Sequence, residues 1–259
     1  MVYADLHVHT TNSDGQLELD EVPAAAREAG VSVVAITDHD RISPALDAPV
    51  TERDGVTLLH GIELRVDAGD QRVDLLGYGV RETHALTGLV EHIQQDRIER
   101  GQAIIDCVED RLDVSLGIEG REGLGRPHIA RAVADHPDAD YDYAATFDHL
   151  IGDDCPCYVA RDVPTFERGR EALLDACGLV SLAHPLRYPD PGAALELCAH
   201  LPAVERYYHY GREVDTTPVE RAVREYDLLV TGGSDAHDYD LGLAGLSADQ
   251  YEPVAAAVE

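Results

Sequence analysis

The sequence predicts an α/β fold in which buried parallel strands alternate with helices. Short apolar stretches rich in β-branched residues alternate with stretches of helical period along most of the chain. Residues of metal-binding type follow several of the apolar stretches. A length of 259 residues suits a single α/β barrel, and a helical segment interrupts the alternation in the middle of the chain.

The first part of the chain predicts strands and a helix in regular order. Residues 2–8 form a short, mainly apolar run that suits a buried strand. Residues 31–36 are β-branched and continuous, as in a strand of a parallel sheet covered on both faces. Residues 20–29 between them predict a helix that ends at Gly30, since glycine accepts the left-handed conformation found at helix C-termini. A short helical stretch is expected at residues 44–48. The next strands are expected at residues 56–59 and 73–80.

The middle of the chain has a helical period. Apolar residues recur at helical spacing from residue 84 to residue 112, which predicts one long helix or two stacked ones. Further helices are expected at residues 127–134, with a proline in the first turn, and at residues 143–150. No strand pattern occurs in this region, so we expect a helical insertion. The predicted domains are residues 1–83 with 161–259, and the inserted residues 84–160.

The last part of the chain returns to the alternating pattern. Helices and strands follow one another here as they do near the N-terminus. The predicted strands are residues 179–183, 204–208 and 228–231. The predicted helices are residues 168–176, 193–200, 218–226 and 251–258.

The composition is strongly acidic. The chain has 50 acidic and 20 basic residues, a formal net charge of −30, and every basic residue is an arginine. The acidic residues are scattered, which predicts a hydrated surface adapted to a high-salt cytoplasm, as in a halophile. Such a charge opposes an extended nucleic-acid-binding surface. No apolar run approaches the roughly 20 residues that a bilayer requires, and no signal peptide is visible. We expect a cytoplasmic protein without membrane contact; the sequence leaves its oligomeric state open.

The five cysteines show no zinc-type spacing. Cys155 and Cys157 are the only pair close in sequence, and we expect them to be an ordinary reduced pair in a loop. The lack of a recognisable disulfide framework fits a reducing cytosol.

A His-x-His pair ends the first predicted strand. Side chains alternate along a strand, so His7 and His9 project from the same face. An isolated pair of this kind is usually structural. Here, residues of similar type follow the later strands, and the carboxyl ends of barrel strands form one rim. Imidazoles and carboxylates bind divalent ions, so we predict a site for more than one metal ion. The residues at these strand ends are His7, His9, Asp14, His39, Glu63, His184, Asp235 and His237.

The segments that carry these residues resemble, in order, the motifs of the polymerase and histidinol phosphatase (PHP) family of metal-dependent phosphoesterases. A helical insertion and the segment Gly125-Arg126-Pro127-His128 are similar to one branch of the family. That branch acts on nucleoside 3′,5′-bisphosphates and on short RNA from its 5′ end. The matching motifs are Asp5-Leu6-His7-Val8-His9-Thr10 with Asp14-Gly15, Ile36-Thr37-Asp38-His39-Asp40, Gly61-Ile62-Glu63, Ala183-His184-Pro185 and Ser234-Asp235-Ala236-His237.

The resemblance implies a distorted (β/α)7 TIM-like barrel that holds two or three divalent ions, manganese first, with zinc or iron as alternatives. A metal-activated water would then hydrolyse a phosphate ester. Asp74, a candidate ligand of the second ion, stands where many relatives carry a histidine. The resemblance therefore leaves the occupancy of that metal position open. The implied ligands are His7, His9, Glu63 and Asp235 for one ion, Glu63, Asp74 and His184 for a second, and Asp14, His39 and His237 for a third.

Substrate and proton-transfer roles follow from the same resemblance and from side-chain chemistry. A guanidinium group matches the geometry of a phosphate, which favours Arg126 and Arg187 as substrate-binding residues beside His128. Proton delivery to the leaving oxygen is assigned to His237 or to His128. His209 is expected either to stack on a base or to pack in an aromatic rim.

These residues support three functional hypotheses. The first is a phosphoesterase that removes the 3′-phosphate of nucleoside 3′,5′-bisphosphates or shortens RNA from the 5′ end. The second is a phosphatase for a small metabolite such as histidinol phosphate. The third is a metal-holding scaffold without turnover.

Overall fold

The computed structural model describes residues 1–258, in which a sheet of eight strands curls into a nearly closed barrel. The predicted α/β barrel with helical parts is confirmed. The strands are β1 (Ala4–Val8), β2 (Val33–Ile36), β3 (Val50–Arg53), β4 (Val56–Asp67), β5 (Arg72–Tyr78), β6 (Leu179–Leu182), β7 (Ala203–Tyr208) and β8 (Leu229–Gly233). Seven of them pair in the order β1-β2-β4-β5-β6-β7-β8, and β3 pairs with β4 beside this path.

The helices connect these strands and form the insertion. The helices His84–Leu112 near the middle and Ala248–Val258 at the end of the chain were expected at almost the same residues. The helices are α1 (Val22–Ala29), α2 (His84–Leu112), α3 (Arg126–Ala134), α4 (Tyr143–Thr146), α5 (Phe166–Ala176), α6 (Pro191–Glu196), α7 (Thr217–Tyr226) and α8 (Ala248–Val258). A π-helical turn, Phe147–Ile151, continues α4, and 3₁₀ turns occupy Pro185–Arg187 and Leu197–His200.

The first strand and the segment after the last strand close the barrel. The N–H of Ala236 donates to the carbonyl of His7 at 3.3 Å, and the N–H of His9 donates to the carbonyl of Ala236 at 2.9 Å. The buried carboxylate of Asp5 accepts from the N–H groups of Ser234 (2.9 Å) and Gly242 (2.8 Å). These bonds satisfy a buried acid, so Asp5 ties the two ends of the sheet together.

A glycine allows β8 to approach β1 closely. A Cβ atom at Gly233 would lie 2.4 Å from both the Cβ and the backbone nitrogen of His7. No side chain tolerates such a distance, so His7 keeps its place only because residue 233 has none.

The expectation of parallel strands throughout was wrong at two places. Strand β5 runs antiparallel to both β4 and β6, and β3 runs antiparallel to β4. The loop between β4 and β5 is short, and a parallel pair would need a long crossover connection. The remaining pairs, including β1 with β2 and β7 with β8, are parallel.

Two local expectations in the first part of the chain were also wrong. Residues 44–48 form a turn instead of a helix, and the strand β3 follows at residue 50. Residues 56–59 and the segment at 61–63 form one strand, β4, of 12 residues. Gly61 does not interrupt it: a Cβ there would lie 2.9 Å from the carbonyl oxygens of Gly77 and Ile36, so glycine serves close strand approach.

The reduced pair expected at Cys155 and Cys157 was wrong as well. Cys157 forms a disulfide with Cys107, whose Cα atom lies 5.6 Å away, while Cys155 is a free thiol. Fifty residues separate the bonded cysteines, and only the folded chain brings α2 beside the loop that carries Cys157.

Two compact units divide the chain. Residues 1–90 with the chain from Val163 form the barrel unit, and Glu91–Asp162 form the helical unit. Leu6, Leu59 and Leu76 belong to the apolar core of the first, and Ile104 and Val133 to that of the second. Across residues 1–258, no helix combines the length and apolar character needed to cross a membrane. The division at residues 83 and 161 stays a prediction.

The close contact at residue 233 gives a test of the barrel closure. We expect Gly233→Ala to lower the free energy of unfolding by about 2 kcal/mol or more, because the new methyl group overlaps His7. Urea denaturation followed by circular dichroism measures the change. As a matched control, Gly88 in α2 has open space at its Cβ position, so Gly88→Ala should stabilise by about 0.5–1 kcal/mol. Equal stability of Gly233→Ala and the wild type would contradict the packing of β8 on His7.

Candidate metal centre

The residues predicted to bind metals gather at one edge of the barrel unit. His7 lies in β1 and Glu63 in β4, while His184 follows β6 by two residues. Asp74 lies near the start of β5. Because β5 runs antiparallel to its neighbours, its beginning lies at the edge where the parallel strands end. The reversed strand therefore supplies a candidate ligand from near its beginning.

These side chains form three clusters, each with ligand atoms within 4.8 Å of one another. Five imidazoles and four carboxylates take part, and Glu63 and His9 each belong to two clusters. The groups are His7, His9, Glu63 and Asp235; Glu63, Asp74 and His184; and His9, Asp14, His39 and His237.

The first cluster is the most deeply buried. The Nε2 atoms of His7 and His9 both lie 3.4 Å from Oε2 of Glu63. Asp235 Oδ1 lies 3.3 Å from His7 Nε2 and 3.1 Å from His9 Nε2. Four ligand atoms thus surround one small volume, each of a type that divalent transition metals bind.

The donor atoms of this cluster fit a cation. Among the described residues 1–258, His7 Nε2 is buried and has no hydrogen-bond partner, and the buried Glu63 Oε2 beside it has only the contact with His39 Nδ1 at 2.7 Å. Buried polar atoms are rarely left unpaired, because each one costs the free energy of its lost hydration. A divalent ion between an imidazole nitrogen and a carboxylate oxygen would satisfy both atoms at once.

The electric field of the first cluster also favours a cation. Burial lowers the pKa of His7, but the carboxylates of Glu205, Asp235 and Glu63 outweigh burial and raise that pKa well above its ordinary value. Burial raises the pKa of Glu63, yet His39 and His7 hold it well below its ordinary value. The carboxylates therefore remain ionised, and they attract a proton to the rings or a metal ion in its place.

The third cluster is more open to solvent. Asp14 Oδ1 lies 3.4 Å from His237 Nε2 and 3.9 Å from His39 Nε2. His39 Nδ1 also lies 2.7 Å from Glu63 Oε2. Burial lowers the pKa of His39, but the charges of Glu63 and Asp14 raise it to about 9. The negative charges thus favour a cation at this position too.

The second cluster contains a charge that the sequence did not suggest. His184 Nε2 lies 2.9 Å from Glu63 Oε1 and 3.6 Å from Asp74 Oδ2. Arg65 donates from Nε and Nη2 to the two oxygens of Asp74, at 2.5 and 2.6 Å. Since a guanidinium group already occupies both oxygens, Asp74 is a weaker metal ligand than a free carboxylate.

Glu205 is a functional residue that sequence reasoning missed. This buried carboxylate in β7 accepts from Nδ1 of His7 at 3.0 Å and from the backbone N–H of His184 at 2.7 Å. It thereby fixes the tautomer of His7 and directs Nε2 toward the first cluster. The signal in the sequence is an acidic residue within an apolar strand, where an unpaired charge would be costly.

Asp38 supports the loop that follows His9. Its carboxylate accepts from the backbone N–H of Thr10 at 2.7 Å and from the hydroxyl groups of Thr10 and Ser13, both at 2.8 Å. Asp38 therefore supports the chain between His9 and Asp14 from outside the three clusters.

Two residues of the centre adopt backbone conformations that are uncommon for side-chain-bearing residues. The φ angle is 26° at His184 and 57° at Asp235. The φ of Asp235 lies within the left-handed region, whereas that of His184 lies outside it, so His184 stores the greater strain. Strained residues of this kind concentrate at functional sites, where the surrounding bonds hold them.

Arg187 borders the centre, whereas Arg126 and His128 belong to the helical unit. Arg187 donates from Nη1 to Asp235 Oδ2 at 2.8 Å and to the hydroxyl of Tyr208 at 2.7 Å. Arg126 donates to the carboxylate of Asp153 at 3.1 Å, and His128 Nδ1 accepts from the N–H of Gly125 at 3.1 Å.

A barrel edge that gathers imidazoles and carboxylates around buried unpaired donor atoms defines a metal-dependent hydrolase centre. Residues 5–153 match the family model of the PHP domain. This match covers more than half of the chain, and the chain belongs to the PHP domain family. It is accordingly a metal-dependent phosphoester hydrolase.

Known proteins support the same class. The chain is 29% identical over 208 residues to the 3′,5′-nucleoside bisphosphate phosphatase of Chromobacterium violaceum, which covers 75% of this chain and 70% of the relative. It is 28% identical over 259 residues to the 5′-3′ exoribonuclease Rnm of Escherichia coli, with 91% and 85% covered. The crystal structure of a candidate metal-dependent phosphoesterase from Bifidobacterium adolescentis has a TM-score of 0.81 at 21% identity. It covers 100% of this chain and 97% of that chain, and shows the common fold.

The position of Glu205 gives a test of the metal centre. We expect Glu205→Gln to lower metal affinity by about 10- to 100-fold, because the amide cannot accept from both His7 and the backbone of His184. Titration with a competing chelator, together with metal analysis of the purified protein, measures the affinity. Glu213→Gln, at an exposed residue, is the control and should bind metal as the wild type does. Unchanged affinity in Glu205→Gln would show that His7 needs no such support.

Proposed function

We propose that the protein removes the 3′-phosphate of nucleoside 3′,5′-bisphosphates and shortens RNA from its 5′ end. The observation that most strongly supports this proposal is a cavity of about 480 Å³ lined by candidate metal ligands. Arg65, Arg72 and Arg187 line the same cavity. A cavity lined by both metal ligands and guanidinium groups suits a phosphate ester. The relatives named for bisphosphate phosphatase and exoribonuclease activity support this choice of substrate.

In this proposal, the three clusters hold two or three divalent ions, manganese first, with zinc or iron as alternatives. Bound ions supply acidity to water and neutralise charge on phosphoryl oxygens. His7, His9, Glu63 and Asp235 form the most enclosed position, which suits a tightly held ion. The position with Asp74 is the weakest of the three, because Arg65 shares that carboxylate.

Arg187 and His237 act on the substrate in this proposal. Burial lowers the pKa of Arg187, but Tyr208 and Asp235 raise it, so the group stays charged and able to bind a phosphoryl oxygen. Burial also lowers the pKa of His237, and its contact with Asp14 raises it above the ordinary value. The contact with Asp14 therefore favours the protonated ring of His237 when no ion occupies the third position, and a protonated ring can donate to the leaving oxygen. His128 is the alternative donor.

Arg126 is proposed to bind the phosphate that is not cleaved. In the helical unit, the pKa of Arg100 is lowered to about 10 by burial and by the positive charges of Arg161, Arg126 and Arg97. Arginines whose positive charges repel one another gain stability when an anion lies among them. In a chain with 50 acidic residues, this concentration of positive charge is the strongest indication of an anion site in that unit.

The other two functions are alternatives that fit the structure less well than the proposed one. A small-metabolite phosphatase would use the same metal centre but would have no need for the arginines of the helical unit. A scaffold without turnover would not need a complete set of ligands, whereas all nine predicted residues lie in the three clusters.

We also propose that the protein works in the cytoplasm of a halophile, since its surface charge requires salt for screening.

The test of the proposed function is a phosphate-release screen in manganese and molar salt. It compares adenosine 3′,5′-bisphosphate, histidinol phosphate and a short 5′-phosphorylated RNA, whose shortening is followed by chromatography. We expect the bisphosphate and the RNA to react and histidinol phosphate to remain. Asp235→Asn and His9→Ala should fold but lose turnover by several orders of magnitude, because each removes a ligand of the enclosed position. A preference for histidinol phosphate would reverse the proposal.

The assignment of Arg126 predicts a change in substrate binding. We expect Arg126→Ala to raise KM for the bisphosphate by about 10-fold or more with little change in kcat, since a charge-assisted hydrogen bond to the remote phosphate is lost. Arg126→Lys keeps the charge but not the fork, and should be intermediate. Arg111→Ala, at an exposed residue of the same unit, is the control. An unchanged KM in Arg126→Ala would refute this role.

A further inference from the structure

A second cavity of the barrel unit lies where β7 ends. It has a volume of about 430 Å³ and is bordered by residues 206–212 and by residues 243–245 after β8. This volume is in the range of pockets that hold small organic ligands. The cavity belongs to none of the three metal clusters.

A short path of contacts joins this cavity to the metal centre. Tyr208 borders the cavity, and its hydroxyl donates to Asp235 Oδ2 at 2.7 Å. The ring of Tyr210 lies 4.7 Å from the ring of Tyr208, and its hydroxyl accepts from the N–H of Leu186 at 3.3 Å. Arg187, which donates to Tyr208, is the neighbour of Leu186 and borders the metal cavity. The second cavity and the metal cavity therefore adjoin at Tyr208 and Arg187.

The chemistry of the cavity is unusual for this chain. Its border contains aromatic rings and two guanidinium groups, from Arg206 and Arg212, and none of its bordering residues is acidic. The whole chain has more than twice as many acidic as basic residues. Arg206 is fixed in place, because it donates to Glu220 at 2.6 Å and lies 4.9 Å over the ring of Tyr207. Leu243 adds an apolar surface that is 55% exposed.

Aromatic rings beside arginines are the usual elements of surfaces that bind single-stranded nucleic acid, where bases stack on rings and phosphates meet guanidinium groups. His209 and Arg212 are both exposed at the border of the cavity. We propose that this cavity binds the nucleotide that follows the scissile phosphate in RNA. This inference rests on the RNA activity of the proposed function and goes further, because it assigns a site for the part of the substrate that a bisphosphate lacks.

The site would discriminate between the two proposed substrates. A nucleoside 3′,5′-bisphosphate ends at the scissile phosphate, so it leaves the second cavity empty. An RNA of two or more nucleotides continues beyond that phosphate, and its next base and phosphate gain the contacts of His209 and Arg212. These residues should therefore affect RNA hydrolysis alone.

The test compares two substrates and three variants. kcat/KM is measured for adenosine 3′,5′-bisphosphate and for a 5′-phosphorylated adenosine trinucleotide with wild type, Arg212→Ala, His209→Ala and the control Arg224→Ala, an exposed arginine of α7. We expect each cavity variant to lower kcat/KM for the trinucleotide by at least about 5-fold and to change the bisphosphate value by less than about 2-fold. The effect of Arg212→Ala should shrink as salt rises, whereas that of His209→Ala should persist.

A binding measurement separates the failure of this inference from that of the proposed function. Fluorescence anisotropy records the affinity of a labelled adenosine trinucleotide for Asp235→Asn, alone and combined with Arg212→Ala or His209→Ala. Weaker binding in both combinations supports the site. If the wild type shortens RNA but neither combination weakens binding, the site is refuted and the proposed function stands. If the wild type hydrolyses the bisphosphate but neither cleaves nor binds the trinucleotide, the RNA activity and the site both fall, and a protein partner becomes the explanation for the exposed aromatic surface.

Discussion

The metal centre depends on the buried carboxylate of Glu63. Four imidazoles contact it: His39 at 2.7 Å, His184 at 2.9 Å, and His7 and His9 at 3.4 Å. An ionised carboxylate without exposure to water is stable only when positive charge or hydrogen bonds compensate its lost hydration. The arrangement of β1, β2, β4 and the segment after β6 brings those rings to one point. The strand order of the barrel therefore determines where the metal ligands meet.

The sequence was sufficient to place those candidate ligands whose positions follow from the strands that carry them. His7 and His9 could be placed together because side chains on a strand alternate, and His184 because it follows an apolar run. Glu205 could not be placed, since nothing in the order of residues says which ring a buried acid will meet. The same holds for Arg65, whose partner Asp74 lies on the adjacent antiparallel strand.

The fold was predictable where local pattern decides and unpredictable where long-range pairing decides. Helix α2 follows from the period of its apolar residues, and the end of α1 follows from Gly30, which adopts a φ of 74°. The direction of β5 depends on the length of the loop before it and on its neighbours. The disulfide of Cys107 depends on how the helical unit folds, and five cysteines allow too many pairings for the sequence to choose.

The pair of Arg65 and Asp74 has a consequence for how this centre can change over evolutionary time. One acid and one arginine together carry no net charge, which is also true of the neutral histidine that the family resemblance places at position 74. Replacing Asp74 by histidine alone would leave a guanidinium group facing the ligands of the second position without its counter-ion. Replacing Arg65 alone would add a negative charge there. Positions 65 and 74 should therefore covary: homologues with histidine at 74 would lack the arginine, and homologues with aspartate would keep it.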